Sequence, residues 1–339
     1  MKLASVALVL AVAACNRKHS EEQMDRPTSP PPSDKPAGSA PAPGGKPAPK
    51  LGADLGKAYL DCVGLMNEGK VDDVKARCLA SSAAYRMNEP GTKISPQLVL
   101  VSGRTVLAVN VRHGKLEATG KDVGTTSFER LEFDDDNKIR EAHEETDGLT
   151  ALAQAGKLPK ELGEFRGPAQ APEAPEIVVT QNNATEKTNV DVMRKVTDAL
   201  NAHKAGDFAA LFADDAVESD QASAKDRTGK KEIEAGAQEF AKVMPDATMT
   251  VPAASQYAAG DYVVAIGTIT GTKEKKKVSG TYAEVARLKD GKVTKLWRFR
   301  DGLAFAKQLG LELPKDEPAK PEAPAAPVPA APAPAAPNP

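Results

Sequence analysis

Two residues near the end of the chain have the types and spacing for acid–base chemistry: the sequence reads Trp297-Arg-Phe-Arg-Asp301. An aspartate at a strand end, facing an apolar interior beside Trp297 and Phe299, is partly desolvated, and its pKa rises toward the range where it can exchange protons near neutrality. The same residue, followed by Gly302 and Leu303, is also placed to cap a short helix. The chain supplies an internal comparison. Asn137–Gly156 aligns without a gap with Gly291–Gly310; it keeps Asp147-Gly148-Leu149 and puts His143 where the other segment has Trp297. An aspartate retained in both copies is weighted toward the structural role. In the earlier copy, alternation puts Glu141, His143, Glu145 and Asp147 on one strand face, a combination that suits a metal. No second histidine lies nearby in the repeat, so a solvated face of acids around one histidine is the favoured reading and no metal is assigned. There is no Gly-x-Ser-x-Gly, no phosphate-binding glycine loop and no zinc spacing, so nucleophilic or cofactor chemistry is not expected.

The elements that must position these residues fall in two stretches, 51–163 and 188–314. In the second, Met193, Val196 and Leu200 recur at helical spacing after a cap at Thr188 or Asn189. A short helix is expected over Phe208–Phe212. A third carries Ile233, Ala237, Phe240 and Met244 on one face and stops at Pro245. Strands then dominate: Asp246–Tyr257, Asp261–Thr270, Gly280–Leu288 and Lys292–Arg300, with lysines 273–277 in a hairpin turn. Asp261–Thr270 is apolar on both faces, which predicts a central strand covered on both sides. Along the last strand Lys295, Trp297 and Phe299 share one face and Leu296, Arg298 and Arg300 the other. One of these sets lines the interior. The expected fold class is α+β, helices packed on a curved antiparallel sheet.

Gly206-Asp-Phe208, Phe212-Ala-Asp-Asp-Ala216, Gly229-Lys-Lys-Glu-Ile233, Gly291-Lys-Val, Trp297-x-x-x-Asp301 and Gln308-Leu-Gly310 together resemble the SnoaL-like (polyketide cyclase/ester cyclase) branch of the nuclear-transport-factor-like fold. The resemblance spans essentially all of 188–312. It implies a cone-shaped domain with a pocket for a small apolar ligand, lined by Trp297, Phe299, Tyr262 and Tyr282. It also implies Asp301 as a general acid/base working without metal or cofactor, and a homodimer through the sheet. The stretch 51–163 follows the same plan in reduced form. Its helices are marked by Leu55, Tyr59, Cys62 and Met66 and by Asp72–Leu79, and its strands by Gly103–Val111, Thr125–Phe133 and Lys138–Thr146. The third helix is missing, so its pocket is expected to be shallow or collapsed.

The N-terminus reads as an address. Residues 1–15 have a charged start, a short apolar run and Val12-Ala-Ala-Cys15, which resembles a bacterial lipobox with Cys15 as the lipidated residue. Asn16 after it favours the outer membrane. Residues 16–50 should be a disordered tether and 315–339 a Pro/Ala-rich disordered tail, with the tail's partner left open. Residues 164–187 read as the interdomain linker. Cys62 and Cys78 are disulfide candidates in an exported chain, closing a loop across the Glu68-Gly69-Lys70 turn. The net charge of −2 gives no reason to expect a nucleic-acid partner. Export, an aromatic content of 4% and an aspartate kept in the reduced copy favour a lipid-anchored envelope protein with a non-catalytic small-molecule-binding or interaction role. The alternative is a cofactor-free cyclase, isomerase or hydrolase.

Overall fold

The computed structural model describes residues 53–81, 83, 85, 91–117, 119–158 and 162–313. The leader with Cys15, the tether and the tail lie outside them. Among the described residues no helix is long and apolar enough to cross a membrane.

The first domain opens with helix α1 (Ala53–Asn67) and a short helix α2 (Val71–Asp73) that runs into a π-helical turn, Val74–Cys78. These pack on an antiparallel meander of β1 (Thr92–Ser102), β2 (Thr105–Lys115), β3 (Asp122–Phe133) and β4 (Ile139–Thr146), followed by α3 (Gly148–Gln154). Leu55, Tyr59, Val63 and Met66 project from one face of α1 onto Val99, Val101, Val106 and Ala108. Cys62 and Cys78 are joined by a disulfide with their Cα atoms 5.8 Å apart, tying α1 to the π turn. β1 was not legible in the sequence: Pro96 breaks the strand signal, and the pairing with β2 slips at Pro96/Leu98.

The linker is more ordered than its composition suggests. β5 (Glu176–Val179) pairs parallel with β1, giving the strand order β4-β3-β2-β1-β5. The next helix, α4 (Ala184–Asn201), starts five residues before the expected Asn189. Its cap is Asn183, which closes a capping box with Glu186. The Glu186 carboxylate also accepts from the amides of Gln181 and Gly260. Burial opposes its ionised form, but these backbone donors hold its pKa below the usual glutamate range.

After α5 (Ala205–Ala210) comes a strand that the sequence reading did not assign, β6 (Phe212–Asp220), paired with the short β7 (Arg227–Thr228). Helix α6 (Lys230–Val243) follows, and Met244 and Pro245 end it. The remaining elements are β8 (Thr248–Thr250), β9 (Gln256–Ala259), β10 (Tyr262–Lys273), β11 (Lys276–Lys289), β12 (Lys292–Phe299) and α7 (Gly302–Leu309). The sheet order is β7-β6-β12-β11-β10-β8, with β9 also on β10. As expected, this is an α+β arrangement, and β10 is covered twice. Val263 and Ile269 point toward the helices, whereas Tyr262, Val264 and Ile266 point the other way.

What covers that second face is the first domain. Leu98, Leu100, Leu107, Val109 and Phe128 of one sheet meet Val264, Val285, Trp297 and Phe299 of the other in one apolar cluster, with Phe128 and Phe299 ring centroids 5.9 Å apart. This is sheet-on-sheet packing within one chain. The face expected to pair with a second copy of the protein is therefore already filled.

Candidate functional site

β12 decides the orientation of the site. Its Leu296, Arg298 and Arg300 side faces the helices, and its Trp297 and Phe299 side faces the first domain. Trp297, Phe299 and Tyr262, expected in the pocket, are interdomain residues instead. Lys295 Nζ stands 4.5 Å from the Trp297 ring, and Tyr262 Oη donates to Glu176 of the linker strand at 2.7 Å. Of the four expected pocket residues, Tyr282 alone lines the cavity. The sequence narrowed the choice to two strand faces, and the apolar one looked like the interior. A second sheet to cover it could not be read from alternation alone.

The cavity between α6 and the sheet has a volume of about 60 Å³. Its apolar lining comes from Leu200, Phe208, Phe240, Val243, Met249 and Ile269. Its polar lining comes from Glu218, Asp220, Arg227, Glu239, Tyr282, Arg298 and Arg300. Alternation along β6 turns Glu218 and Asp220 to the interior, and the parallel pairing with β12 sets Glu218 opposite Leu296 and Asp220 opposite Arg298. Arg298 bridges two strands: Nε donates to Glu284 Oε1 at 2.8 Å and Nη1 to Glu218 Oε1 at 2.6 Å. Arg227 Nη1 donates to Glu218 Oε2 at 2.8 Å, and Arg300 pairs with Asp220. Arg227 can lie against α6 because residue 236 is glycine; a Cβ there would stand 2.6 Å from its Nε.

Three arginines thus balance three buried acids. Burial alone would raise the Asp220 pKa, but Arg300, Arg298 and Arg227 hold it below the usual aspartate range. Burial works against the Arg298 cation, yet Glu284, Glu218 and Asp220 keep it firmly protonated. Burial and the nearby Glu284 push the Tyr282 hydroxyl well above the ordinary phenol range, so it stays protonated. Its Oη has no hydrogen-bond partner among the described residues, and neither does Arg300 Nε. Glu218, Asp220 and Glu284 were missed from sequence. The signal present was the acidic alternation Ala216-x-Glu218-x-Asp220, which reads as a loop until β6 is known to be a strand.

Asp301 lies elsewhere. It is the N-cap of α7, accepting from the amides of Leu303 and Ala304 at 2.8 and 3.3 Å, and it also accepts from Gly148 of the first domain at 3.2 Å. It does not line the cavity. In the first domain, His143 Nε2 sits 2.8 Å from the buried Glu145 Oε1. Among the described residues no three His, Cys, Asp or Glu side chains converge to hold a metal.

The first domain carries a buried polar cluster at the corresponding level of its own sheet. Glu129 is opposite Glu144 in the pairing of β3 with β4, as Glu284 is opposite Arg298. Here the arginine comes from β2: Arg112 bonds Glu129 at 2.9 Å and Glu144 at 2.8 Å. Tyr85 donates to Glu129 Oε2 at 2.9 Å and Tyr59 to Asn110 Oδ1 at 2.9 Å. Burial raises the Glu129 pKa above the ordinary range. Tyr59 and Tyr85 occupy the space over the carboxylate, so this cluster is packed rather than open.

Residues 193–303 match the SnoaL-like domain family. This segment is a SnoaL-like domain. Among solved structures, the chain is similar to a ketosteroid isomerase-like protein of Catenulispora acidiphila in complex with trimethylamine (18% identity over 36% of this chain and 94% of that one, TM-score 0.34). It is similar to a candidate polyketide cyclase from Bacillus cereus (24% identity over 36% and 80%, TM-score 0.33). It is also similar to a cystatin-fold protein from Novosphingobium aromaticivorans (19% identity over 33% and 97%, TM-score 0.30). No curated protein matches the chain.

Proposed function

We propose that this chain is a lipid-anchored envelope protein whose SnoaL-like domain binds a small molecule in its cone without performing chemistry at Asp301. The first domain is, on this reading, a reduced copy of the same plan that serves as a structural partner. The observation that carries the proposal is the separation of Asp301 from the cavity: its carboxylate is taken up by the amides of Gly148, Leu303 and Ala304. A cavity with an apolar lining and a few fixed polar groups is the usual make-up of a ligand site. The alternative, a cofactor-free cyclase or isomerase using Asp301, has the family match in its favour, but Asp301 is absent from the cavity lining, whose acids are the arginine-paired Glu218 and Asp220 together with Glu239 of α6.

The anchor rests on Val12-Ala-Ala-Cys15 in the sequence. Fatty-acid labelling of the expressed protein, lost in Cys15→Ser, would support it, and label retained in that variant would refute it. For the cone, native mass spectrometry after incubation with an envelope extract should show a bound small molecule that persists in Asp301→Asn and is lost in Ala237→Leu, which fills the cavity from α6. Turnover of any extract component that disappears with Asp301→Asn would sink the non-catalytic reading.

A further inference from the structure

The linker between the two domains takes part in building the cone. We infer that Arg166 is a positioning residue for the cavity: it fixes the β6–β7 turn that presents Asp220 and Arg227 there, so the SnoaL-like segment 193–303 is incomplete without the chain that precedes it. What this does for a ligand rests on the cone being a binding site, as proposed above; the positioning itself is read with no ligand present.

Three observations carry it. First, one guanidinium grips the turn at three points. Arg166 Nε donates to the Ser223 carbonyl at 3.1 Å, Nη2 to the Asp220 carbonyl at 3.0 Å and Nη1 to Asp226 Oδ1 at 2.7 Å. Asp226 Oδ1 also accepts from Ser219 Oγ at 2.7 Å. Alternation along β6 puts Ser219 on the side opposite Glu218 and Asp220, so the grip comes from behind the strand and not from within the cavity. The rigid fork of an arginine fixes direction as well as distance.

Second, the turn has little else to hold it. β7 is two residues long, and its ladder with β6 consists of Val217 opposite Thr228 and Glu218 opposite Arg227. Past it, the Gln221 amide bonds the Arg298 carbonyl and the Ser223 amide bonds the Asp220 carbonyl. Neither bond fixes the far side of the turn, where Ser223 and Asp226 meet Arg166. The two ends that the turn joins are cavity residues: Asp220 pairs with Arg300, and Arg227 Nη1 donates to Glu218 Oε2 at 2.8 Å. A turn that drifts takes both ion pairs with it.

Third, the first domain holds Arg166 in place. The Arg166 carbonyl accepts from Gln154 Nε2 at 3.0 Å, and three residues on the Ala169 amide donates to the Gly124 carbonyl of β3 at 2.8 Å. The linker lies so close to β3 that a Cβ on Gly124 would stand 2.4 Å from the Ala169 carbonyl oxygen. The order of the first sheet thus passes through the linker to the wall of the cavity.

The test uses the full chain with no added ligand and compares Arg166→Ala, Arg166→Lys and Gly124→Ala with the parent by hydrogen exchange and NMR. Arg166→Ala is expected to speed exchange over residues 221–228 by roughly tenfold or more, the weight of one charge-assisted hydrogen bond, and to leave residues 263–269 of β10 unchanged. Arg166→Lys keeps a charge beside Asp226 without the fork and should fall between. Gly124→Ala, which pushes the linker off β3, should loosen the same turn.

A merely stabilising arginine would leave the cavity acids alone, so Asp220 is the deciding readout. Burial opposes its charge, and Arg300, Arg298 and Arg227 hold its carboxyl below the usual aspartate range. In Arg166→Ala its carboxyl titration, followed by NMR, should move up, while that of Asp246, held low by Thr272, stays where it was. Faster exchange over 221–228 with Asp220 unmoved would reduce Arg166 to a stabilising contact and overturn the inference. Unchanged exchange there in Arg166→Ala or in Gly124→Ala would overturn it as well. If Arg166→Ala does not fold, Arg166→Lys decides by the same two readouts. Failure here leaves the cone open as a binding site, and an extract experiment that finds no ligand leaves the positioning in place.

Discussion

Asp147 and Asp301 cap each other's helices across the domain boundary. Asp147 Oδ1 accepts the Gly302 amide at 2.9 Å while Asp301 Oδ1 accepts the Gly148 amide at 3.2 Å. Each also caps its own helix, Asp147 through Leu149 and Thr150 and Asp301 through Leu303 and Ala304. The recurring Asp-Gly-Leu is thus a reciprocal clasp between α3 and α7. Gln154 and Gln308 complete the pattern: Gln154 grips the amide and carbonyl of Gly124 on β3, and Gln308 those of Ser279 on β11.

Removing one half of the clasp should loosen the domains. Asp147→Ala loses a cap and an interdomain bond and is expected to cost about 2 kcal/mol or more in urea unfolding. Trp297 is the single tryptophan and is 7% exposed at the interface, so its emission should shift to the red in the same variant. Unchanged emission would mean that the clasp does not hold the sheets together.

The glycines of the clasp are needed for close approach. A Cβ on Gly302 would stand 2.6 Å from Asp147 Oδ1, so Gly302→Ala should destabilise by ~1 kcal/mol or more. Gly167, with nothing within 4 Å of its added Cβ, serves as the neutral control.

The clasp should also respond to pH. Burial, reinforced by the neighbouring Asp301, raises the Asp147 pKa from 3.8 to about 6. Its folded value is the higher one, so the stability it contributes is complete below about pH 4 and is lost as the pH rises through about 6. Thermal scans between those limits should show Asp147→Asn with a flatter pH profile than the parent, the difference amounting to no more than ~3 kcal/mol. Parallel profiles would refute the linkage.

The charge network in the cone should be intolerant of single deletions. Arg298→Met leaves Glu284 and Glu218 buried with less counter-charge, a loss of about 3–5 kcal/mol by chemical denaturation. Adding Glu284→Gln should recover part of it. A double variant as unstable as the single one would argue against charge imbalance as the cause.

Reduction should weaken the first domain selectively. The Cys62–Cys78 bond closes a loop with a sequence separation of 16. The Cys62→Ser/Cys78→Ser protein should lose around 3 kcal/mol by the chain-entropy estimate. Hydrogen exchange should localise the loss to α1 and the π turn.

Much of the fold was legible because the strong signals are local. The helix carrying Ile233 and Ala237, the end at Pro245 and the two-sided strand at Val263–Ile266 follow from spacing and side-chain type alone. The unread parts depend on distant partners. β5 is a strand because β1 offers it an edge, and β6 reads as an acidic loop until Arg298 and Arg300 stand across from it. Trp297 and Phe299 carried the right signal, burial, but the sequence did not say by what. Asp301 was weighed toward a cap because its counterpart Asp147 was retained, and it sits at the N-cap of α7.

The packing of two sheets on a single chain has a consequence for how their surfaces can differ. In a two-fold symmetric pair every residue of the contact must serve both sides at once. Here the strand that places Trp297 and Phe299 at the contact has a counterpart bearing His143 and Glu145. Joined on one polypeptide, the two faces can change separately, and their meeting does not weaken on dilution. One half is free to specialise as a rigid backing while the other keeps a hollow.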